Sequence, residues 1–533
     1  MPHSWLLGHL PMVVQHRKAF PDDLHVSMFF LELLKNYQKS FPGLANPPSI
    51  TYVDLWPLGD PICICLDPAV SPQFTQTKSI PKGTLVKYLL GPLTDERDLV
   101  CLEGDEWKLW RSRFNPGFSA RNITALVPTI LEETDVFVHQ LEQLAGPDGS
   151  WGEVFQLEKK AMNLTFDVIG RAALDVKFGE QTRPVPSAFK EAFFRQLSLM
   201  VMGASITTLV ARWLPSYARE KARNAKIMDD YLIPYVQDRD AFVKEQSLEK
   251  DTSKTSEKFI IDLALRALQK DGESTQLVDR PDGQLMQTLL SQLKVFLFAG
   301  HDTTASTIAW GFHLLSRNPD TLARLRAEHD SVFGATAADV QSTRAQIASS
   351  PQLLNQLPYT VAVIKETLRL QPPASSWRQG QPGFFLTAPG SDLQYPTDGF
   401  MVLDSARSVQ NNPTAWEKAD EFVPERFLSH SDAVSHGVEI REPPAHGWRP
   451  FEQGPRNCIG QELAMVELKM VFVLVARQFD IECAWDKWDA VKGQEGTAET
   501  KKMYNGDRLY PYGESTAHCK DNMPAHVRLR TIS

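Results

Sequence analysis

The run Phe451-Glu452-Gln453-Gly454-Pro455-Arg456-Asn457-Cys458-Ile459-Gly460 holds the residue types from which a metal-ligating thiolate can be built. Its cysteine lies in a glycine-rich loop just before an apolar stretch, 460 to about 478, whose spacing predicts a helix. Free backbone N–H groups and the dipole at that helix start favour a thiolate over a thiol. Such a thiolate can ligate iron, and its electron donation promotes O–O cleavage. Gly454 and Gly460 would let the backbone approach a flat macrocycle. Phe451 would shield the sulfur from water, and Arg456 would pair with a carboxylate of the cofactor. Five specified residue types at fixed offsets recur by chance in roughly one chain in ten thousand of this length, which weighs against a plain buried cysteine.

A second unusual segment is Phe298-Ala299-Gly300-His301-Asp302-Thr303-Thr304. It lies in the middle of a helical pattern from Gln284 to Arg317 that would extend on the order of 50 Å. Gly300 costs such a helix roughly 1 kcal/mol. A threonine there can hydrogen-bond back to the preceding turn and bend it. By itself the segment is equally a tolerated kink in a core helix.

The elements that must position these residues belong to a globular chain. Of 533 residues, 42% are hydrophobic and 23% charged, and the net charge of −9 comes without any dense Lys/Arg stretch. That excludes disorder and makes nucleic acid an unsuitable partner. Six cysteines are too thinly spread for a disulfide framework and fit a reducing, cytosol-facing environment. Cys63 and Cys65 read as buried strand thiols, because no second pair stands at zinc-ligand spacing. No apolar run reaches the ~20 residues needed to span a bilayer. The patch at 5–14 is broken by Gly8, His9 and Pro11 and lacks the marks of a signal peptide. Short strands are expected at 49–53 and 62–66, and helices dominate thereafter, punctuated by Pro116, Pro215, Pro319, Pro358 and Pro372. Residues 244–282 and 486–513 read as polar excursions. No repeat or linker divides the chain, so the expected layout is a hinge-like start at 1–15 and one domain over 16–533.

The cysteine loop resembles the haem-binding signature of the cytochrome P450 superfamily. Further segments match that superfamily in the expected order. Lys365-Glu366-Thr367-Leu368-Arg369 resembles its ExxR helix, where Glu366 and Arg369 share a face. Phe422-Val423-Pro424-Glu425-Arg426-Phe427 resembles its PERF segment, and by that likeness Arg426 joins Glu366 and Arg369 in a charge network beneath the haem. The segment Ala299 to Thr304 resembles the oxygen-activation motif, in which a kink opens room for dioxygen. Thr303 would then hydrogen-bond the dioxygen, and Asp302 would relay protons from water. Trp107-Lys108-Leu109-Trp110-Arg111 resembles the WxxxR helix, so Trp107 and Arg111 would reach a haem propionate. Arg378 is a further propionate candidate, or else a surface salt bridge. The likeness implies a mainly α fold with small β-sheets, a long central helix and a Cys-ligand loop, in the style of eukaryotic microsomal members and of fungal ones in particular.

The resemblance implies a monomeric haem-thiolate monooxygenase with heme b held by Cys458. It would insert one atom of dioxygen into an apolar small-molecule substrate, in the manner of fungal secondary metabolism. No Gly-rich nucleotide-binding fingerprint follows a strand, so electrons would come from a separate NADPH-dependent flavoprotein reductase. Lys108 and Arg113 would form part of its docking face, or simply a solvated one. Ser375, Phe298, residues 85–93 and the uncharged run 197–211 would set substrate specificity. That run is equally a pocket roof, an interfacial segment or a core helix. Leu7-Gly8-His9-Leu10-Pro11 resembles the end of the hinge that follows a membrane anchor. The expected location is the cytosolic face of the endoplasmic reticulum, soluble or peripheral in the absence of an anchor. The rival functions are a haem-thiolate isomerase or dehydratase needing no external electrons, and a non-catalytic haem sensor.

Overall fold

Unbroken helical periodicity makes Gln284–Arg317 one continuous helix in the computed structural model, as the sequence predicts. The structure describes residues 1–200, 212–248, 259–273, 277, 283–334, 340–497, 502–513 and 515–530. Among these, α1 (Leu10–Ala19) lies near the start of the chain, and the helices that matter to the site are α2 (Gly104–Phe114), α3 (Leu157–Leu174), α4 (Ala188–Ser198), α5 (Gln284–Arg317), α6 (Pro358–Leu370) and α7 (Gln461–Gln478). Pro319 and Pro358 sit in the first turn of their helices, where a missing N–H costs nothing. The expected boundary at residue 15 falls inside α1.

The central helix α5 is buried on almost every side through 289–297 and 304–312, which is why it lacks a polar stripe. It packs along α3, and Gly300 permits the approach: a Cβ there would lie 2.8 Å from Ile169 Cγ1. The helix runs without a break through Gly300, whose missing side chain leaves room for Ile169. The hydroxyl of Thr165 on α3 donates to the carbonyl of His301 at 2.8 Å and ties the two helices together.

The sheets are small. Strands β1 (Ile50–Val53), β2 (Ile62–Cys65), β4 (Ser376–Gln379) and β5 (Met401–Asp404) form one sheet in the order β1-β2-β5-β4. Its β2–β5 pair is parallel, and Arg378 lies opposite Val402. A second sheet joins β3 (Phe155–Gln156), β6 (Phe479–Cys483) and β9 (Pro524–Leu529), with β9 in the middle. A two-stranded ladder pairs β7 (Pro511–Tyr512) with β8 (His518–Cys519). Cys63 and Cys65 are fully buried on β2, as their strand pattern implies. The polar stretch 486–513 contains the end of a short helix, Trp485–Lys492, as well as β7. Most of the run 197–211 lies outside the described residues.

Candidate functional site

A cavity of about 330 Å3 opens between α5, α7 and the cysteine loop, and both Cys458 and Thr303 line it. Phe296, Gly300, Leu368 and Ile459 make much of its surface apolar. The loop is closed by its own backbone: the Cys458 N–H donates to the Phe451 carbonyl at 2.8 Å, and the Asn457 N–H to Gly454 at 3.1 Å. Phe451 lines the cavity and packs edge-on against Trp448. Gly454 has φ +91°, and a Cβ there would stand 2.3 Å from the Thr75 carbonyl oxygen. Its lack of a side chain therefore accommodates the chain at Thr75 and not a macrocycle, a correction to the expectation. Gly460 does line the cavity, beside the sulfur. Gly454→Ala is expected to cost about 2 kcal/mol or more through left-handed strain and overlap, seen as a lowered melting temperature together with reduced haem retention.

Cys458 is exposed, and what it faces is the cavity. Burial of the surrounding loop pushes the thiol above its ordinary range, while the backbone N–H groups of Gly460 and Gln461 and the Arg111 guanidinium pull it down. The two N–H groups are the ones a helix start was expected to supply, but even with Arg111 they do not outweigh desolvation.

On α5 the two expected proton-handling residues part company. Thr303 faces the cavity, and its hydroxyl donates to the Ala299 carbonyl at 2.9 Å. Asp302 is turned roughly 100° away, as consecutive helical residues must be. It lines a neighbouring pocket of about 290 Å3 instead, together with Phe298 and His518. His518 Nε2 lies 3.4 Å from Asp302 Oδ1, and its Nδ1 lies 2.8 Å from Glu158 Oε1. Nothing in the local sequence around Glu158 or His518 marked either one.

Lys82, Arg449 and Arg456 line the cavity that holds Cys458 and Thr303, whereas Arg378 and Arg111 do not. Arg456 lines it, but the carboxylate it meets is that of Glu103 at 2.9 Å, and it also donates to the Val100 and Leu102 carbonyls. Arg378 is fully buried, which removes the surface salt bridge from consideration. Its Nη1 donates to the Ile80 carbonyl, Nε and Nη2 have no hydrogen-bond partner, and Glu452 stands 3.7 Å away. Lys82, unnoticed in the sequence, lines the cavity; burial and the nearby Arg378 bring its ammonium down to about 7. Arg111 departs from expectation. It grips the carbonyl and side chain of Asn457 at 3.0 Å each and lines a pocket on the other flank of Cys458. Trp107 likewise does not line the main cavity, and lies under the Arg456 guanidinium at 4.6 Å. Arg113 is buried against Asp271 and Glu273, so it offers nothing to a docking face, whereas Lys108 is exposed.

Glu366, Arg369 and Arg426 come together in the interior. Arg369 meets both carboxylate oxygens of Glu366, at 2.7 and 2.8 Å, and Arg426 Nε approaches Oε1 at 3.1 Å. Arg369 also donates to the carbonyls of Gln410, Ala419 and Glu421, so α6 is tied to the chain that leads into the PERF turn.

Known proteins share this fold. The family model for cytochrome P450 matches residues 51–504. The cytochrome P450 monooxygenase polC of Polytolypa hystricis is 36% identical over 99% of this chain and 89% of its own length. The cytochrome P450 monooxygenase acrF of Aspergillus aculeatus is 33% identical over 89% of this chain and 93% of its own. A crystal structure of the cytochrome P450DA heme domain superposes with a TM-score of 0.69 at 17% identity, covering 99% of this chain and 97% of that one. Fold and site thus define a haem-thiolate oxygenase. The chain belongs to the cytochrome P450 family, and it is a monooxygenase that uses haem, dioxygen and a redox partner.

Proposed function

We propose that Cys458 is the thiolate ligand of heme b and that Thr303 and Asp302 govern proton supply above it. The carrying observation is that the Cys458 sulfur and the Thr303 hydroxyl line one apolar cavity. The residues fit the group: Lys82 and Arg456 line the cavity, and buried Arg378, its backbone bridged to that of Lys82 and its Nε and Nη2 unpartnered, is suited with them to its propionates. When bound, haem supplies reductive activation of dioxygen, so that one oxygen atom enters the substrate and the other leaves as water. Phe451 and the apolar wall exclude bulk water, which leaves the protein to deliver the protons. Thr303 presents a hydroxyl to the cavity, and Asp302, one position before it, holds an acid at a separate pocket. Glu366, Arg369 and Arg426 keep α6 in place beside that cavity.

Ser375 in the cavity and Phe298 in the adjoining pocket are proposed substrate contacts, and the lining suits an apolar compound. Oxidation in secondary metabolism is in keeping with the fungal relatives. Electrons are proposed to come from an NADPH-dependent flavoprotein reductase, and the chain to act as one monomeric oxygenase domain. Among the described residues no helix is long and apolar enough to cross a membrane. Trp5, 95% exposed, and Trp213, 89% exposed, support contact with a lipid surface such as the cytosolic face of the endoplasmic reticulum.

Thr303→Ala is the direct test. With haem loaded and NADPH supplied through a reductase, peroxide released per NADPH should rise about tenfold, general acid–base assistance being worth at least that much. An unchanged ratio of peroxide to water would remove Thr303 from proton delivery.

A further inference from the structure

The pocket that holds Asp302 contains a group to which the monooxygenase reaction assigns no task. His518 on β8 is bracketed by two carboxylates from different helices, Glu158 of α3 on Nδ1 and Asp302 of α5 on Nε2. Glu158 is fully buried, and it also accepts the backbone N–H of Cys519 at 2.8 Å, so it is fixed against the hairpin. Asp302 is 4% exposed, whereas the rim of its pocket carries the exposed Ser198 and Ser515. His518 therefore lies in one pocket with an exposed rim and a buried acid. Five titratable groups face it: Glu158, Asp302, Tyr512 across the hairpin, His301 on α5, and the buried His25.

We propose that His518 acts through Asp302 as its proton store, collecting protons from water in the outer pocket and passing them to the Asp302 carboxylate. This rests on the assignment of Asp302 and Thr303 to proton supply. The transfer is a simple exchange. The Nε2–H bond of the imidazolium breaks as an O–H bond forms on Asp302. The neutral ring keeps its Nδ1 proton on Glu158, and pocket water then restores the proton on Nε2. Burial opposes charge on the ring, but Asp302 and Glu158 outweigh it and raise the imidazolium to about 9. The store is accordingly full at neutral pH and empties as pH rises through that value.

The experiment uses haem-loaded full-length chain with a flavoprotein reductase and NADPH, no substrate added, and the carbon monoxide difference spectrum as the check on each preparation. NADPH oxidation is followed in H2O and D2O across pH, each variant being expressed as a ratio to wild type with the same reductase. His518→Gln should be about tenfold slower at neutral pH, show a larger solvent isotope effect, and lack the alkaline fall of wild type. Glu158→Gln, which removes one of the two anions holding the charge, should keep that fall but move it to lower pH. Should His518→Gln fail to give a normal spectrum, the displaced limb in Glu158→Gln decides. If both variants kept the wild-type pH limb and isotope effect while Asp302→Asn was slow, His518 would be no proton store although Asp302 remained a relay. If Asp302→Asn and Thr303→Ala also matched wild type, the relay itself would fall, and the store with it.

Discussion

Cys458→Ala is expected to yield a folded chain whose carbon monoxide difference spectrum lacks the thiolate band and whose NADPH-dependent turnover falls to background. Two features of the site separate this outcome from unfolding. The side chain faces the cavity and packs little, so its truncation removes few contacts from the core. The loop is held by backbone hydrogen bonds, Cys458 to Phe451 and Asn457 to Gly454, that do not involve the sulfur. The apoprotein should thus melt within a few degrees of wild type, about 1 kcal/mol or less apart, while the spectrum changes completely. Retention of the thiolate band in Cys458→Ala would assign the iron to another ligand.

Glu366→Ala should act in the opposite manner and destroy the fold before the chemistry can be asked about. Glu366, Arg369 and Arg426 are all at most 2% exposed, and the carboxylate also accepts the Val423 N–H at 2.9 Å. Removing it strands two guanidinium groups away from water. Breaking a buried pair by deleting one partner costs about 3–5 kcal/mol, and a whole protein has only about 5–15 kcal/mol to lose. Soluble yield should collapse, and any folded fraction should show a sharply lower denaturation midpoint. The exposed Lys108→Ala serves as control and should shift stability by no more than about 0.5 kcal/mol. A Glu366→Ala protein as stable as that control would show the trio to be dispensable for folding.

Short sequence strings carried the parts of the site whose chemistry is local. A ligand cysteine needs a turn before it and a helix after it, and those constraints occupy adjacent residues; hence the loop at 451–460 and the helix Gln461–Gln478 were legible together. The ExxR pair is one helical turn, and the length of Gln284–Arg317 follows from a periodicity that any window along it reveals. What each charged group meets was much less legible. The sequence pointed Arg111 toward the cofactor, whereas Asn457 engages it, and it gave no sign that Arg456, which does line the cavity, also meets Glu103. It paired Asp302 with Thr303 as neighbours, although helical rotation sends them to different pockets.

By itself, then, the sequence determined the ligand loop, the central helix and the pair Glu366 and Arg369, because each is encoded within a turn or two of backbone or in a regular period. Arg426, 60 residues from Glu366, was added to that pair by the family resemblance. Tertiary structure alone decided the other long-range polar partnerships. Glu158 and His518 stand 360 residues apart, and Lys82 reaches Ser376 across 294. Side chains at such separations meet only after the core has packed, and their pairing depends on a few ångströms of helix placement that no local pattern records.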